Sequence, residues 1–205
     1  MPKREAPLNH LENYLPQGAS ATVYEYLNTY KIHLTITRTR KSVLGDYRHA
    51  TQEDHHRISV NGNLNKYAFL ITLIHELGHL ITFQQYGNRV VSHGKEWKLA
   101  YRRVLEDFIR MDLFPVDILG VLLKSLHNLP ASSCSDTQLT RVLKKYDADK
   151  SVLLVEELRE GALFRTVDGR VFKKGKQIRK RIECTEIQTG KLYLFSPVYE
   201  VKPAG

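Results

Sequence analysis

A chain of 205 residues can bury a sizeable core, and a content of 42% hydrophobic and 26% charged residues excludes a largely disordered protein. Its two cysteines, Cys134 and Cys184, lie 50 residues apart and do not suggest a disulfide framework. With 31 Lys and Arg against 22 Asp and Glu, the net charge of +9 favours polyanionic partners such as nucleic acid or an anionic membrane surface, although solubility alone also accounts for it.

The start of the chain carries no apolar targeting segment. Residues 1–7 are polar, and no later apolar run is long enough to cross a bilayer. We therefore expect an intracellular, cytoplasmic protein with no membrane partner.

The first part of the chain predicts one helix followed by three strands. Residues 21–30 favour a short helix, and apolar and polar residues alternate over residues 31–37 with the period of a half-buried strand. A second strand is expected near residues 42–49, and a third ends at residue 61, before a Gly. The paired His55 and His56 would point to opposite faces of a strand, and we expect them to face solvent.

A long apolar helix is predicted next, beginning near Asn63 or Asn65 and ending at Gly87. Apolar residues lie around most of its circumference, so it should be a core helix. A further helix over residues 95–111 places its apolar residues at spacings of three and four and should pack on the same core.

The remaining chain predicts two short helices and a β-rich module. Residues 117–126 and 137–146 favour helices, with a Ser-rich linker over residues 130–136. From residue 152 onward, short apolar runs alternate with turn signals at Asp168-Gly169, Lys174-Gly175 and Thr189-Gly190. We predict an α+β fold with a domain over residues 1–130, a linker with a short helix over 131–150, and a basic antiparallel β module over 151–205.

The sequence His75-Glu76-Leu77-Gly78-His79 lies within the long predicted helix. Residues four apart in a helix share one face about 6 Å apart along the axis, so both imidazoles can reach one metal ion. In this pattern two histidines hold zinc, and the carboxylate is a general base toward the attacking water. The motif predicts His75 and His79 as zinc ligands and Glu76 as the catalytic residue of a metallopeptidase.

Polar residues form a stripe along this helix, at Thr72, His75, Glu76, His79 and Thr82. Buried polar groups without partners cost a few kcal/mol each, so a bound metal would remove the penalty. The alternative is that other side chains satisfy these histidines in the core.

Catalytic zinc usually has three protein ligands plus water, so a third ligand is required. The metzincin pattern would need Gly at position 82 and His at position 85, where this chain has Thr82 and Gln85. The commonest gluzincin spacing would need a Glu where the chain has Leu99, and Glu96 and Glu106 fit less well.

His93 is the preferred third ligand. It lies fourteen residues after His79 in a Ser92-His93-Gly94 turn, from which a loop can return to the site before the next helix. Gly94 would permit a close approach. The alternative is an exposed loop histidine.

Four features over roughly residues 21–108 occur together. They are the helix and strand ending at Thr37, the strand end Ile58-Ser59-Val60-Asn61, the His75 to His79 motif, and His93-Gly94-Lys95-Glu96-Trp97. Together they resemble the SprT-like zinc metallopeptidases, a family that includes the bacterial SprT proteins and the eukaryotic DNA-dependent protease Spartan.

The resemblance implies a minimal zincin-like fold, with His75, His79 and His93 as zinc ligands and Glu76 as general base. From the Spartan branch it also implies degradation of proteins bound or crosslinked to DNA. Many SprT-like proteins end in a zinc ribbon with paired cysteines, whereas the C-terminal region here has Cys184 alone. We therefore predict one Zn²⁺ per chain.

The C-terminal module carries most of the positive charge. Residues 161–191 hold nine Lys or Arg against three acids, a net +6. Seven of the nine are candidate nucleic-acid contacts: Arg170, Lys173, Lys174, Lys176, Arg179, Lys180 and Arg181. A solvated basic face is the alternative. Interspersed aromatic residues are expected in the module's core, although they could also stack on unpaired bases.

The sequence thus favours a zinc endopeptidase that acts on protein substrates near DNA, which would associate it with the nucleoid. One alternative is a nucleic-acid-binding protein with a structural or inactive zinc site. Another is a peptidase unrelated to DNA, whose basic module binds acidic protein or RNA.

Overall fold

The structure, a computed structural model, describes residues 8–40, 43–50, 55–126 and 136–204. It divides into two compact units, of which the first ends at Tyr146 and the second begins at Asp147. Helices and sheets occur together and the second unit is an antiparallel sheet, so the predicted α+β fold class is confirmed. Most of the Ser-rich segment predicted over residues 130–136, with Cys134, lies outside the described residues, as does residue 42 of the second predicted strand.

The first unit combines helices with a three-stranded sheet. Its elements are a 3-10 helix (Leu8–Tyr14), α1 (Ser20–Thr29), β1 (Ile32–Thr37), β2 (Gly45–Arg48), β3 (His56–Asn61), α2 (Lys66–Tyr86), α3 (Lys95–Ile109), α4 (Val116–Ser125) and α5 (Thr137–Lys144). The strand order is β1-β3-β2, with β1 parallel and β2 antiparallel to the central β3. The sheet therefore has β2 at one edge.

The core of this unit is built around α2. The Asn65 side chain caps the helix by accepting a hydrogen bond from the Ala68 backbone N–H at 3.0 Å, and the helix ends at Gly87, whose φ of +60° suits glycine. Both ends agree with the sequence prediction. Twelve of its 21 residues are buried, including the polar Thr72, His75 and Glu76. Within the described part of the chain, no helix is both long enough and apolar enough to span a membrane.

The segment before α1 was not predicted to be ordered. It forms the 3-10 helix, and the Leu11 and Leu15 side chains are almost fully buried in the core. Two apolar residues four apart are too short a signal to reveal this packing from the sequence.

His56 corrects a second expectation. His55 is exposed as predicted, but His56 is only 8% exposed. Its position in β3 has the same phase as the buried Ile58 and Val60, and strand alternation therefore turns it inward. The His56 Nδ1 accepts a hydrogen bond from the Ala50 N–H at 3.2 Å and lies 2.9 Å from the Tyr47 hydroxyl, and Nε2 lies 2.8 Å from the Gln84 amide.

The short helix α5 packs into the first unit, although its residues fall in the segment predicted as a linker with a short helix. Leu139 is buried in the core, and the Asn65 amide donates to the Leu143 carbonyl at 3.0 Å. The Tyr146 hydroxyl donates to Asp117 at 2.7 Å. The change to the β-rich unit therefore follows α5.

The second unit is the predicted antiparallel β module. Its elements are β4 (Leu153–Leu154), a 3-10 helix (Val155–Glu157), β5 (Leu163–Arg165), β6 (Val171–Ile178), β7 (Arg181–Glu186), β8 (Leu192–Phe195) and β9 (Glu200–Pro203), in the sheet order β4-β9-β5-β6-β7-β8. The buried side chains of Phe164, Phe172, Ile182, Cys184 and Val201 form a separate small core.

One of the three predicted hairpin turns is wrong. Asp168-Gly169 and Thr189-Gly190 lie between strands, but Lys174-Gly175 lies inside β6, at an irregularity in its pairing with β7. A Cβ at Gly175 would approach the Glu183 carbonyl oxygen to 2.8 Å, so the glycine allows a close cross-strand approach there. The turn itself is formed by Arg179 and Lys180, with Arg179 in the left-handed region at φ +54°.

Candidate metal centre

Two of the three clustered histidines lie one turn apart on α2. The Nε2 atoms of His75 and His79 are 3.3 Å apart, so both imidazoles point to the same place. His75 is buried at 7% exposure, and His79 is half-buried. The helical spacing therefore brings the two nitrogens together as the sequence predicted.

The threonines of the polar stripe are satisfied within the helix. Thr72 donates to the Ala68 carbonyl at 2.8 Å, and Thr82 donates to the Gly78 carbonyl at 2.7 Å. The hydroxyls thus return to the backbone, as they often do in helices. In contrast, Nδ1 of His75 is buried without a partner among the described residues. The polar groups left for chemistry on this stripe are the two imidazoles and Glu76.

His93 completes the cluster from the turn before α3. The Gly94 N–H donates to the Val91 carbonyl at 2.9 Å, and a Cβ at Gly94 would approach that oxygen to 2.8 Å, so the turn needs glycine. His93 itself is in the left-handed region, with φ +59°, and its Nε2 lies 3.2 Å from Nε2 of His75. The turn therefore holds a strained residue with its ring directed at the other two histidines.

Trp97 forms a wall against all three imidazoles. Its ring centroid lies 4.6 Å from that of His75, 5.3 Å from that of His79 and 4.7 Å from that of His93. Behind it, Tyr101 stacks in parallel with the indole at 5.0 Å. The sequence marked Trp97 as a core residue and part of a motif, but its contact with every histidine is visible only in the fold.

Gly78 permits the close packing of α3 on α2. A Cβ there would lie 3.1 Å from the Tyr101 Cβ and 3.2 Å from the Trp97 Nε1. The middle of the His75 to His79 motif is thus a packing position. The missing side chain at Gly78 allows the Trp97 indole to pack close to His75 and His79.

The three histidines are held in the neutral form. Burial, together with the neighbouring imidazoles, lowers the pKa of His75 to about 3, and burial with the proximity of His93 lowers that of His79 to about 4. Burial also lowers the pKa of His93. Neutral imidazoles have the free lone pair that a metal ligand requires.

Glu76 lies beneath the edge strand β2. It is 6% exposed, and a Cβ built on Gly45 of β2 would lie 2.6 Å from its Oε1 atom. Burial first, and the charge of Asp46 second, raise the pKa of Glu76 to about 8, while Arg40 acts in the opposite direction. The carboxylate is therefore enclosed and poised to hold a proton.

A hydrogen-bond network built on Asn61 holds the segment that leads into β2. Asn61 is only 1% exposed. Its side-chain amide donates to the Val43 carbonyl at 2.9 Å and to the Arg40 carbonyl at 3.3 Å. Its Oδ1 accepts hydrogen bonds from the Thr37 hydroxyl at 3.1 Å and from Nε of Arg40 at 2.8 Å. The Arg40 guanidinium also donates to Ser59 Oγ at 3.0 Å. From the sequence Asn61 could be placed only at a strand end, because its partners are up to 24 residues away in the chain.

This donor set fits zinc. Three histidine nitrogens lie within 4.8 Å of one another, and they form the one such group of potential ligands among the described residues. Three imidazoles match the protein ligand set of catalytic zinc. Their short contacts join Nε2 atoms, so the unpartnered Nδ1 of His75 is not one of the converging nitrogens. Neither Glu96 nor Glu106 belongs to the group, and Glu106 pairs with Arg102 at 3.4 Å.

Comparison with known proteins places the chain in a family. The model of the SprT-like family matches residues 13–117, a range that contains all three histidines and Glu76. The chain belongs to the SprT-like family. SprT proteins from three strains of Pseudomonas putida are each 46% identical to it over 35 residues, which cover 17% of this chain and 21% of theirs. The match spans about a fifth of the length of these curated relatives, and no solved structure matches.

Membership of the SprT-like family and the histidine cluster together indicate a metallopeptidase-like protein. The family match ends before the second unit begins. That unit contains the buried Cys184 thiol, whose pKa is raised by burial. Cys184 is thus a core residue of the sheet.

The seven basic residues predicted to contact nucleic acid all belong to the second unit. Arg170 immediately precedes β6, Lys173, Lys174 and Lys176 lie on β6, Arg179 and Lys180 form the turn, and Arg181 begins β7. All seven lie on the β6–β7 hairpin or directly before it, and their side chains make different contacts.

Proposed function

We propose that this SprT-like protein is a zinc-dependent endopeptidase that hydrolyses proteins bound or crosslinked to DNA. The observation that carries the proposal is the convergence of three neutral imidazoles on one point, with the buried Glu76 adjacent in sequence to one of them. A site of this composition suits peptide-bond hydrolysis better than a structural role, because a structural zinc site needs no carboxylate base.

His75, His79 and His93 would hold the zinc through their Nε2 atoms. When bound, zinc supplies Lewis acidity, which polarises a carbonyl and lowers the pKa of water to about 7. Trp97 packs against all three rings and restricts their rotation. The chain therefore provides a preorganised ligand set.

Glu76 would move the proton. One of its carboxylate oxygens accepts a proton from the attacking water as the water oxygen forms its bond to the peptide carbonyl carbon. The same carboxyl then donates that proton to the nitrogen of the leaving amine as the C–N bond breaks. Burial raises the pKa of Glu76 to about 8, which favours holding the proton between the two steps. A zinc ion held by the three histidines would lower this pKa, so the carboxylate would be available as a base at neutral pH.

The edge strand β2 would orient the substrate. It pairs with β3 on one side, and along its other side no described strand pairs with it. The outward N–H and C=O groups of an edge strand can pair with an extended peptide. Because Gly45 of β2 lies on Glu76, a peptide bound along this edge would pass close to the catalytic carboxylate.

Two features support DNA-associated substrates. Residues 161–191 carry a net charge of +6, which suits contact with a phosphate backbone. The resemblance to the family that includes Spartan also supports substrates that are bound to DNA. Neither feature selects a particular protein substrate.

The peptidase proposal is tested with Glu76→Gln. Wild type and variant are loaded with equimolar zinc, zinc retention is measured after dialysis, and cleavage of an unfolded basic protein is followed by electrophoresis. We expect both proteins to retain one zinc and only the wild type to cleave. Equal cleavage by both would show that cleavage does not depend on Glu76 and would overturn the proposed mechanism. Zinc binding without cleavage by either would favour a structural zinc site.

The role of DNA is tested by repeating the assay with a DNA-binding protein as substrate. Cleavage is compared without DNA, with duplex DNA and with single-stranded DNA. We expect DNA to accelerate cleavage by bringing enzyme and substrate together. Cleavage that is indifferent to DNA would favour a peptidase whose basic unit binds acidic protein or RNA.

A further inference from the structure

We propose that the turn end of the β6–β7 hairpin is the surface with which the second unit binds double-stranded DNA. This hairpin end comprises Lys176, Arg179, Lys180 and Arg181. The inference rests on the proposed function, because it names the element that would hold the enzyme on DNA.

Two of the seven candidate basic residues have structural roles. The Arg170 Nε donates to Asp168 at 2.7 Å, and its guanidinium carbon lies 5.4 Å from the ring centroids of both Phe172 and Tyr193. The Lys174 ammonium donates to the Glu156 carbonyl at 3.1 Å and to the Leu158 carbonyl. Contact with phosphate would cost these bonds, so neither side chain is available.

The basic side chains of the hairpin end have no structural contacts of this kind. All four of its basic side chains are exposed, and none forms an ion pair with a carboxylate of the described residues. Ile178 and Arg181 are the last cross-strand pair, so Arg179 and Lys180 form the tip. The Gln177 amide donates to the Arg179 carbonyl at 2.9 Å, which fixes the turn. Four unpaired cations are therefore displayed on a short, hydrogen-bonded ribbon.

Aromatic burial favours duplex over single-stranded DNA. Single strands are bound largely by stacking on exposed aromatic rings. Here Phe164 and Phe172 are fully buried, and Tyr193 and Phe195 pack against them. Tyr199 is 40% exposed, but it lies between β8 and β9, outside the β6–β7 hairpin. Residues 175–182 contain no aromatic side chain at all. The hairpin end therefore offers charge without stacking platforms, which matches the dense phosphate charge of a duplex.

The shape of this element also suits a duplex. A two-stranded β ribbon fits the major groove of B-DNA, which is about 12 Å wide. Among residues 175–182, Ile178 is the one exposed large apolar side chain, at 47% exposure, because Ile182 is buried. A membrane-binding surface would display a broader apolar face. Nucleic acid is therefore the better match to this surface.

A matched pair of lysines tests where on the second unit DNA binds. Lys180 lies in the β6–β7 turn and Lys191 follows the β7–β8 turn, at the opposite end of β7. Both are exposed lysines, so Lys180→Gln and Lys191→Gln remove the same charge from the two ends of one strand. Binding of the full-length, zinc-loaded protein to a 20-base-pair duplex is measured by fluorescence anisotropy over a range of salt concentrations. Glu76→Gln serves as the background, so that proteolysis does not interfere.

We expect Lys180→Gln to weaken duplex binding about fivefold to tenfold near 0.1 M salt and to lower the salt slope by about 0.9. The double variant Lys176→Gln/Lys180→Gln should lower that slope by about 1.8, and Lys191→Gln should leave binding unchanged. Equal losses from Lys180→Gln and Lys191→Gln would show that net charge alone is responsible and would overturn the proposal. Unchanged thermal unfolding of each variant confirms that the fold is intact.

Two competitors test the class of partner. A single strand of the same length should bind more weakly than the duplex, and polyglutamate should compete poorly. Tighter binding of the single strand, or equal competition by polyglutamate, would overturn the assignment to duplex DNA. Active proteolysis without hairpin-dependent DNA binding rejects this inference alone, whereas hairpin-dependent binding by a protein that cleaves nothing rejects the proposed function alone.

Discussion

The backbone of Gly45 lies directly on the Glu76 carboxylate, so closely that a Cβ on Gly45 would be 2.6 Å from Oε1. The edge strand and the Glu76 carboxylate thus share a space that admits no additional carbon atom. Since displacement of a catalytic group by about 1 Å can cost a factor of about 100 in rate, this contact should be sensitive to the smallest substitution.

We predict that Gly45→Ala lowers kcat/KM for peptide cleavage by about 100-fold without loss of zinc. The added methyl group would also lie 2.7 Å from the Thr72 Cγ2 atom, so it must displace either β2 or the side chains of both Glu76 and Thr72. None of these groups is a proposed zinc ligand. Gly120→Ala on α4 is the control, because a Cβ there would contact nothing within 4 Å. Cleavage rates and zinc content of both variants provide the measurement. Full activity of Gly45→Ala would show that the position of β2 does not influence Glu76.

Asn61→Ala should destabilise the first unit by about 2–4 kcal/mol. The substitution leaves the Val43 and Arg40 carbonyls, the Thr37 hydroxyl and the Arg40 guanidinium without their shared partner. Urea unfolding of the zinc-loaded protein measures the change. A loss below about 0.5 kcal/mol, the size of an ordinary surface effect, would show that the network is not needed to hold β2.

His93→Asn should reduce zinc affinity by more than about 100-fold, because loss of a ligand costs at least as much as loss of a residue that supports one. Asparagine tolerates the left-handed backbone at this position, so the turn should survive. The exposed His55 offers the matched control His55→Asn. Competition with a chromophoric chelator gives both affinities, and equal affinities for the two variants would exclude His93 as a ligand.

The buried His56 should make stability depend on pH. Burial, and then the charge of His49, lower the pKa of His56 below its ordinary value of 6.5. Its contribution to stability is therefore fully present above the unfolded-state pKa and is lost as the pH falls from about 6.5 through the lower folded-state value. Zinc-loaded wild type and His56→Gln are compared by urea unfolding at pH 7.5 and 5.5. We expect the wild type to lose more stability on acidification, and equal losses would contradict this.

The sequence was most informative where interactions are local. The spacing of His75 and His79 is a helical repeat, and the caps at Asn65 and Gly87 act within one turn, so α2 and half of the candidate site followed from the pattern alone. His93 required one further step, the need for a third ligand. Its strained turn was hidden, but Gly94 marked where such a turn could form.

The features that the sequence missed depend on contacts between distant residues. The Arg40 and Asn61 side chains meet across 21 positions, and Gly45 meets Glu76 only because β2 folds back on β3. Gly175 shows the same limit, since glycine serves both turns and close cross-strand approaches, and only the pairing of β6 with β7 distinguishes them.

X-ray absorption spectroscopy at the zinc edge, on the protein loaded with equimolar zinc, tests most directly whether the three histidines form a zinc site. Coordination by His75, His79 and His93 predicts three imidazole nitrogens at about 2.0–2.1 Å and one oxygen from water, with no sulfur. The same measurement on His93→Asn should show two imidazoles. A sulfur ligand near 2.3 Å, or fewer than three imidazoles in the wild type, would contradict the proposed centre.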